Sequence, residues 1–187
     1  MIGGGDARAN SKAVWLLNWA DGHITFKRWP DLPRPLAMTA GALVGHTLIV
    51  AGGLERPDAT QASRACFAFD LDQPSAGWQT LPTWPGPKRF LAVAGAFEGR
   101  FYLFSGARLV PNPAGGTKRE WLRDAYCYDP AQGWRRIADV PRVAVAAPTP
   151  APAAGGKLWI IGGDDGTKAD VLPVEVKGFP KSVLSYD

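Results

Sequence analysis

Basic side chains recur along this chain at comparable places. Arg34, Lys88, Arg89 and Arg142 each stand just ahead of an apolar stretch, and Arg56 and Arg108 follow turn glycines. A guanidinium offers paired N–H donors in a fixed fork, which suits a carboxylate or a polyhydroxy ligand. Near these cations in sequence lie the carboxylates Glu55, Asp164 and Asp165. A carboxyl group can take a proton and return one, so the set could hold a small acidic, hydroxyl-rich molecule and move protons on it. The competing reading is structural: each arginine could tie down its neighbourhood by bonding loop carbonyls.

Other chemistries fit poorly. The only histidines, His23 and His46, each follow a turn glycine, away from the loops that carry the cations. A copper centre would need histidine and tyrosine together, and a Ser-His-Asp arrangement would need a histidine beside its nucleophile. Asp164-Asp165-Gly166 lacks calcium-loop spacing and reads as a tight Asp-Gly turn. No metal and no cofactor are expected. The net charge of +4 comes from scattered single and paired basic residues. That pattern suits a solvated surface rather than a nucleic-acid face. Cys66 and Cys127 are expected on third strands of different sheets, which disfavours a disulfide.

What must position these groups is a repeat. Gly156 to Gly163 (GKLWIIGG) is a turn glycine, a short apolar run and a double glycine. The run has the length of a buried strand, and the glycines allow a sharp turn where a Cβ would clash. Gly99 to Gly106 repeats the form with Ser105 in place of one glycine, Gly45 to Gly53 repeats it again, and Met1-Ile2-Gly3-Gly4 looks like its tail. The last glycines fall at 4, 53, 106 and 163, spacings of 49, 53 and 57 residues. A period near 50 residues with four strands each is that of a propeller blade.

The expected fold is all-β, one partial propeller over residues 1–187 with blade ends near 34, 88 and 141. Asp21-Gly22 reads as a two-residue hairpin turn. The segment Pro35–Leu54 carries no charge except on His46, yet its central turn makes it two buried strands rather than a membrane span. Ala147–Ala154 reads as a loosened first strand. No signal peptide is expected within this sequence, because Met1-Ile2 runs straight into the repeat. Strand parity puts the loops after each double glycine on the same face as the blade connections. Those loops read as long and polar: Asp6 and Arg8; Glu55, Arg56, Asp58 and Arg64; Arg108, Lys118, Arg119, Glu120 and Arg123; Asp164, Asp165, Lys168, Asp170, Glu175 and Lys177. The connections add Arg34, Lys88, Arg89 and Arg142, a ring of cations at one end of the axis.

The double glycine, an aromatic-Asp step (Phe69-Asp70, Tyr128-Asp129, Tyr186-Asp187) and a Gly-Trp step (Gly77-Trp78, Gly133-Trp134) resemble kelch repeats. Within them, Leu32 to Ala37, Ala51 to Thr60, Trp84 to Pro87, Gly162 to Gly166 and Lys177 to Pro180 resemble the N-acetylneuraminate epimerase (sialic acid mutarotase) family. That resemblance implies a closed six-bladed propeller, of which this chain holds about three and a half blades. It implies an isomerase that interconverts the α and β anomers of free sialic acid, in a periplasmic or secreted setting. Arg34, Arg56, Lys88, Arg89, Arg108, Arg142, Asp164 and Asp165 are then the candidate substrate-binding residues. The family pattern has a Gly-Glu step as acid/base, and this sequence contains none. Glu55 is the candidate for that role. The alternative is a non-catalytic kelch module binding a protein or carbohydrate, since fold does not decide function. The chain is expected to be a fragment of a longer propeller, self-associating through open blade edges, with no membrane or nucleic-acid partner.

Overall fold

The computed structural model describes residues 1–168, 171 and 173–187; Asp170 lies outside the described residues. Two complete four-stranded antiparallel blades lie side by side. The first runs β3 (Ala40–Val44), β4 (Thr47–Ala51), β5 (Cys66–Asp70), β6 (Trp78–Thr80), each strand hydrogen-bonded to the next. The second is built the same way from β7 (Val93–Phe97), β8 (Arg100–Phe104), β11 (Ala125–Asp129) and β12 (Gly133–Ile137). Before them comes the outer part of another blade, the hairpin of β1 (Val14–Ala20) and β2 (His23–Trp29), bridged to Ile2 through Val14. After them β13 (Ala153–Ala154), β14 (Lys157–Ile161) and β15 (Val183–Tyr186) form a three-stranded sheet. The fold is an all-β, partial kelch-type propeller.

Alternation along each strand makes the core. On β8, Phe101 and Leu103 enter the cluster shared with Ala42, Ile49 and Trp84 of the preceding blade. Tyr102 and Phe104 enter the opposite cluster with Leu158 and Ile160 of the following one. A strand buried on both faces reads as an unbroken apolar run, which is why the glycine-to-glycine segments are so apolar. Innermost strands carry small buried residues such as Ala40, Ala42 and Ala94. A Cβ on Gly95 would lie 2.9 Å from the Leu158 side chain. The Gly-Trp steps stitch blade to blade. Trp78 Nε1–H donates to the Pro30 carbonyl at 2.9 Å, and Trp134 Nε1–H donates to that of Pro82 at 2.8 Å.

The glycine pairs turn as their spacing demands. Gly52 and Gly53 have φ of +71° and +104°, and a Cβ on Gly53 would meet the Ala37 carbonyl oxygen at 2.6 Å. Ser105 takes the equivalent left-handed place at φ +54°. Its hydroxyl offsets that strain by donating to the Leu122 carbonyl and accepting the Ala144 N–H, both at 2.9 Å. A further left-handed position recurs just ahead of each inner strand: Met38, Leu91 and Ala146, at φ +57°, +54° and +54°. Leu91 N–H donates to the Met38 carbonyl and Ala146 N–H to that of Leu91, each at 2.9 Å. These bonds form a main-chain ladder across three successive blades.

Two expectations change. The stretch after Gly106 is not a loose polar loop. It is a hairpin of β9 (Ala107–Pro111) and β10 (Thr117–Trp121), paired from Ala107↔Trp121 to Pro111↔Thr117. Between residues 147 and 154 the expected first strand shrinks to β13 and a parallel bridge of Ala151 to Gly95. Cys66 and Cys127 are buried and unpaired, and burial pushes the Cys66 thiol up to about 12.

Candidate functional site

Each inner hairpin extends past its glycines. Leu54 pairs with Ala37, Ala107 with Phe90, and Asp164 with Val145. These pairings hold each post-glycine loop beside a blade connection, so the loops and connections share one end of the axis. Asn10 from the first loop locks onto the second, its Nδ2–H donating to the Leu54 carbonyl at 2.8 Å.

On that face Glu55 is held from two directions. Arg34 Nη1 donates to its Oε1 at 2.9 Å, and the Ser63 hydroxyl donates to the same oxygen at 3.2 Å. Arg56 and Asp58 pair loosely at 3.4 Å and are exposed. A cleft of about 560 Å3 lies between the 7–10 segment and this loop, lined by Arg8, Asn10, Glu55, Arg56 and Asp58. A cleft of about 450 Å3 opens on the loop's other flank, with Glu55, Arg56, Thr60, Gln61 and Lys88 in its wall. Lys88 is exposed there, and its Nζ donates to Gln61 Oε1 at 2.7 Å. Arg108 sits on β9, with Nη2 donating to Glu120 Oε1 at 2.6 Å.

Arg89 and Arg142 depart from the expected ring of cations. Counting back from the left-handed ladder residues, Arg89 stands where Leu36 and Ala144 stand in their own blades, and those positions face inward. The Arg89 side chain has 0% exposure. Its Nη1 donates to the carbonyls of Ser105 (2.8 Å) and Asp124 (3.2 Å), and its Nη2 donates to Asp124 Oδ2 at 2.5 Å. The guanidinium lies 5.6 Å from the Trp84 ring centre and 5.1 Å from that of Tyr126. Burial lowers its pKa, and Asp124 and Tyr126 work against that fall. Burial, with the bond to Asp124, pushes the Tyr126 phenol up to about 12.

Arg142 does the same work in the next blade from a different place in the repeat. Its Nη2 donates to the carbonyls of Gly162 (2.7 Å) and Ser182 (2.9 Å), the counterparts of Ser105 and Asp124. Both arginines are internal ties between the glycine turn and the head of the third strand. Arg89 is wholly buried, and Arg142 is half-buried with its guanidinium spent on these internal acceptors.

The two aspartates are turn formers. Asp164 Oδ1 accepts the Gly166 N–H at 2.8 Å. Asp165 Oδ1 accepts the Thr167 hydroxyl at 2.6 Å and its N–H at 3.1 Å, and these bonds hold its pKa below the usual carboxylate value. Trp121, at the end of β10, packs so closely here that a Cβ on Gly166 would come 2.4 Å from its Nε1. Arg34, Glu55, Arg56 and Lys88 are thus grouped around one loop, with Arg108 on the facing hairpin, while Arg89, Arg142, Asp164 and Asp165 serve the framework. Sequence reasoning passed over Asn10, whose cue is only its place six residues after the Gly3-Gly4 turn. Among the described residues no three His, Cys, Asp or Glu side chains are grouped to hold a metal ion.

Residues 29–179 match the N-acetylneuraminate epimerase family. The chain belongs to that family. The N-acetylneuraminate epimerase of Haemophilus influenzae (strain PittEE) is 32% identical over 139 residues, 73% of this chain and 34% of that protein. That of Yersinia enterocolitica is 34% identical over 113 residues, 60% of this chain and 26% of that protein. The Brucella suis protein is 29% identical over 161 residues, 84% and 39% respectively. Among solved structures, that of YjhT superposes with a TM-score of 0.68 at 16% identity, covering 84% of this chain and 47% of that one. The chain spans about a third of the length of these N-acetylneuraminate epimerases.

Proposed function

We propose that the loop face of this chain binds an acidic sugar of the N-acetylneuraminate type and takes part in exchanging its anomers. The observation that carries this reading is Glu55. It is a carboxylate oriented by Arg34 and Ser63, at the edge of two clefts, in a chain of the N-acetylneuraminate epimerase family. In the exchange a base removes the proton of the anomeric hydroxyl. The oxygen's electrons form the carbonyl as the bond from the anomeric carbon to the ring oxygen breaks, and the ring oxygen takes a proton. Rotation about the exposed carbon–carbon bond and reclosure from the other face give the second anomer. Glu55 is placed to accept the first proton and return it, with Arg34 and Arg56 beside it to hold the substrate carboxylate. The test is anomer exchange of N-acetylneuraminate followed by NMR, with parent and Glu55→Gln chains compared. General acid–base catalysis through Glu55 predicts a fall of about 100-fold or more. Equal exchange rates would remove Glu55 from the reaction.

A further inference from the structure

The loop face has a second chemically distinct cleft, on which the reading above makes no demand. It lies between the 60–64 stretch and the β9–β10 hairpin, with a volume of about 540 Å3. Arg64, Lys88 and Arg108 line it with Thr60 and Thr117, and among the described residues no carboxylate lines it. The cleft beside Asn10, by contrast, balances Arg8 and Arg56 against Glu55 and Asp58. The floor of the cationic cleft is apolar: Ala62 is buried, and Leu109 packs on the same cluster. Arg108 gives only Nη2 to Glu120, and its Nε–H is shielded from solvent without an acceptor among the described residues. Arg64, Lys88 and Arg108 lining one cleft suit an oxyanion, which accepts charge-assisted hydrogen bonds from them.

The two ends are joined. The intervening cleft shares Glu55 and Arg56 with the mixed-charge end and Gln61 and Lys88 with the cationic end. The three clefts thus adjoin one another along the loop face. We propose that the Arg64–Lys88–Arg108 cleft is a subsite for the carboxylate of a second acidic sugar, so that this face accepts a linked acidic disaccharide as well as the free sugar. The inference rests on the reading above for the first sugar, which would sit at the Glu55 end.

Calorimetric titration of the full chain with N-acetylneuraminic acid and with its α2,8-linked dimer tests it, alongside the dimer methyl-esterified at its outer carboxylate. The dimer should bind at least tenfold tighter than the monosaccharide, and the esterified dimer should lose that margin. In Arg64→Ala and in Arg108→Gln the margin should shrink to within twofold, while Arg136→Ala, on a distant strand, should keep it. Equal affinity of monosaccharide and dimer for the parent chain would overturn the subsite and leave the first reading standing. A margin that survives esterification or both cleft substitutions would also overturn it. Dimer binding that is lost on esterification and in both cleft variants, with no binding of the monosaccharide, would instead count against the first reading alone, and absence of binding by either would overturn both.

Discussion

Arg34 and Arg89 both introduce an inner strand, yet they do opposite things. Arg34 is about half exposed and reaches across to Glu55 on the loop face. Arg89 has no exposed surface and holds its own blade together through Ser105 and Asp124. Their distances from the left-handed ladder differ. Arg34 lies four residues before Met38, out on the connection, whereas Arg89 lies two residues before Leu91, where the chain has already turned inward. Lys88, one residue from Arg89, is exposed. Offset is not the whole account, because Arg142, also four residues before its ladder residue Ala146, folds back onto the Gly162 and Ser182 carbonyls of its own blade.

Substitutions can break this contrast. Arg89→Ala should cost about 3–5 kcal/mol, because it leaves the Asp124 carboxylate nearly buried without its partner; denaturant titration reads this directly. A melting midpoint equal to that of the parent would show that Arg89 is no tie. Arg34→Ala should do the reverse, changing stability by less than about 1 kcal/mol. It should weaken N-acetylneuraminate binding about tenfold, near 1.4 kcal/mol, for the loss of one charge-assisted contact. Unchanged binding with lost stability would invert the two roles.

The smallest effect concerns an ion pair at the other end of the blade. His46 Nδ1 lies 2.9 Å from the Asp72 carboxylate, and the hydrogen bond and charge of Asp72 raise the imidazole pKa. A raised folded-state value means that the pair contributes fully below the ordinary histidine pKa and is lost as pH rises through the raised one. Asp72→Asn should return His46 towards its ordinary titration in an NMR series and leave sugar binding unaltered. A raised pKa that persists in Asp72→Asn would point to another cause.

Much of the frame was legible because it is written in backbone demands. Double glycines mark left-handed turns, Asp21-Gly22 closes β1 onto β2, and the apolar runs between glycines are strands buried on both sides. The β9–β10 hairpin was not legible. Thr117-Lys118-Arg119-Glu120-Trp121 carries three charges in five residues, and its pattern contains no buried face. Only packing supplies one, through Leu109 over Ala62 and Trp121 against Gly166. The ring of cations misled for a related reason. Residue type announces a guanidinium, but its acceptors are set by the fold: Arg34 meets Glu55, whereas Arg142 meets the carbonyls of Gly162 and Ser182. Alignment of the blades on the ladder residues, rather than on the glycines alone, would have set Arg89 opposite Leu36 and revealed it as interior.

The ladder of Met38, Leu91 and Ala146 has a bearing on ancestry. Its bonds run from main chain to main chain, so methionine, leucine and alanine serve equally well at the joint. A connection that asks nothing of side-chain identity can be copied with its blade and joined to any other blade of the same frame. Duplication, loss or exchange of one unit then leaves the neighbouring joints intact, while each loop diverges at its own pace.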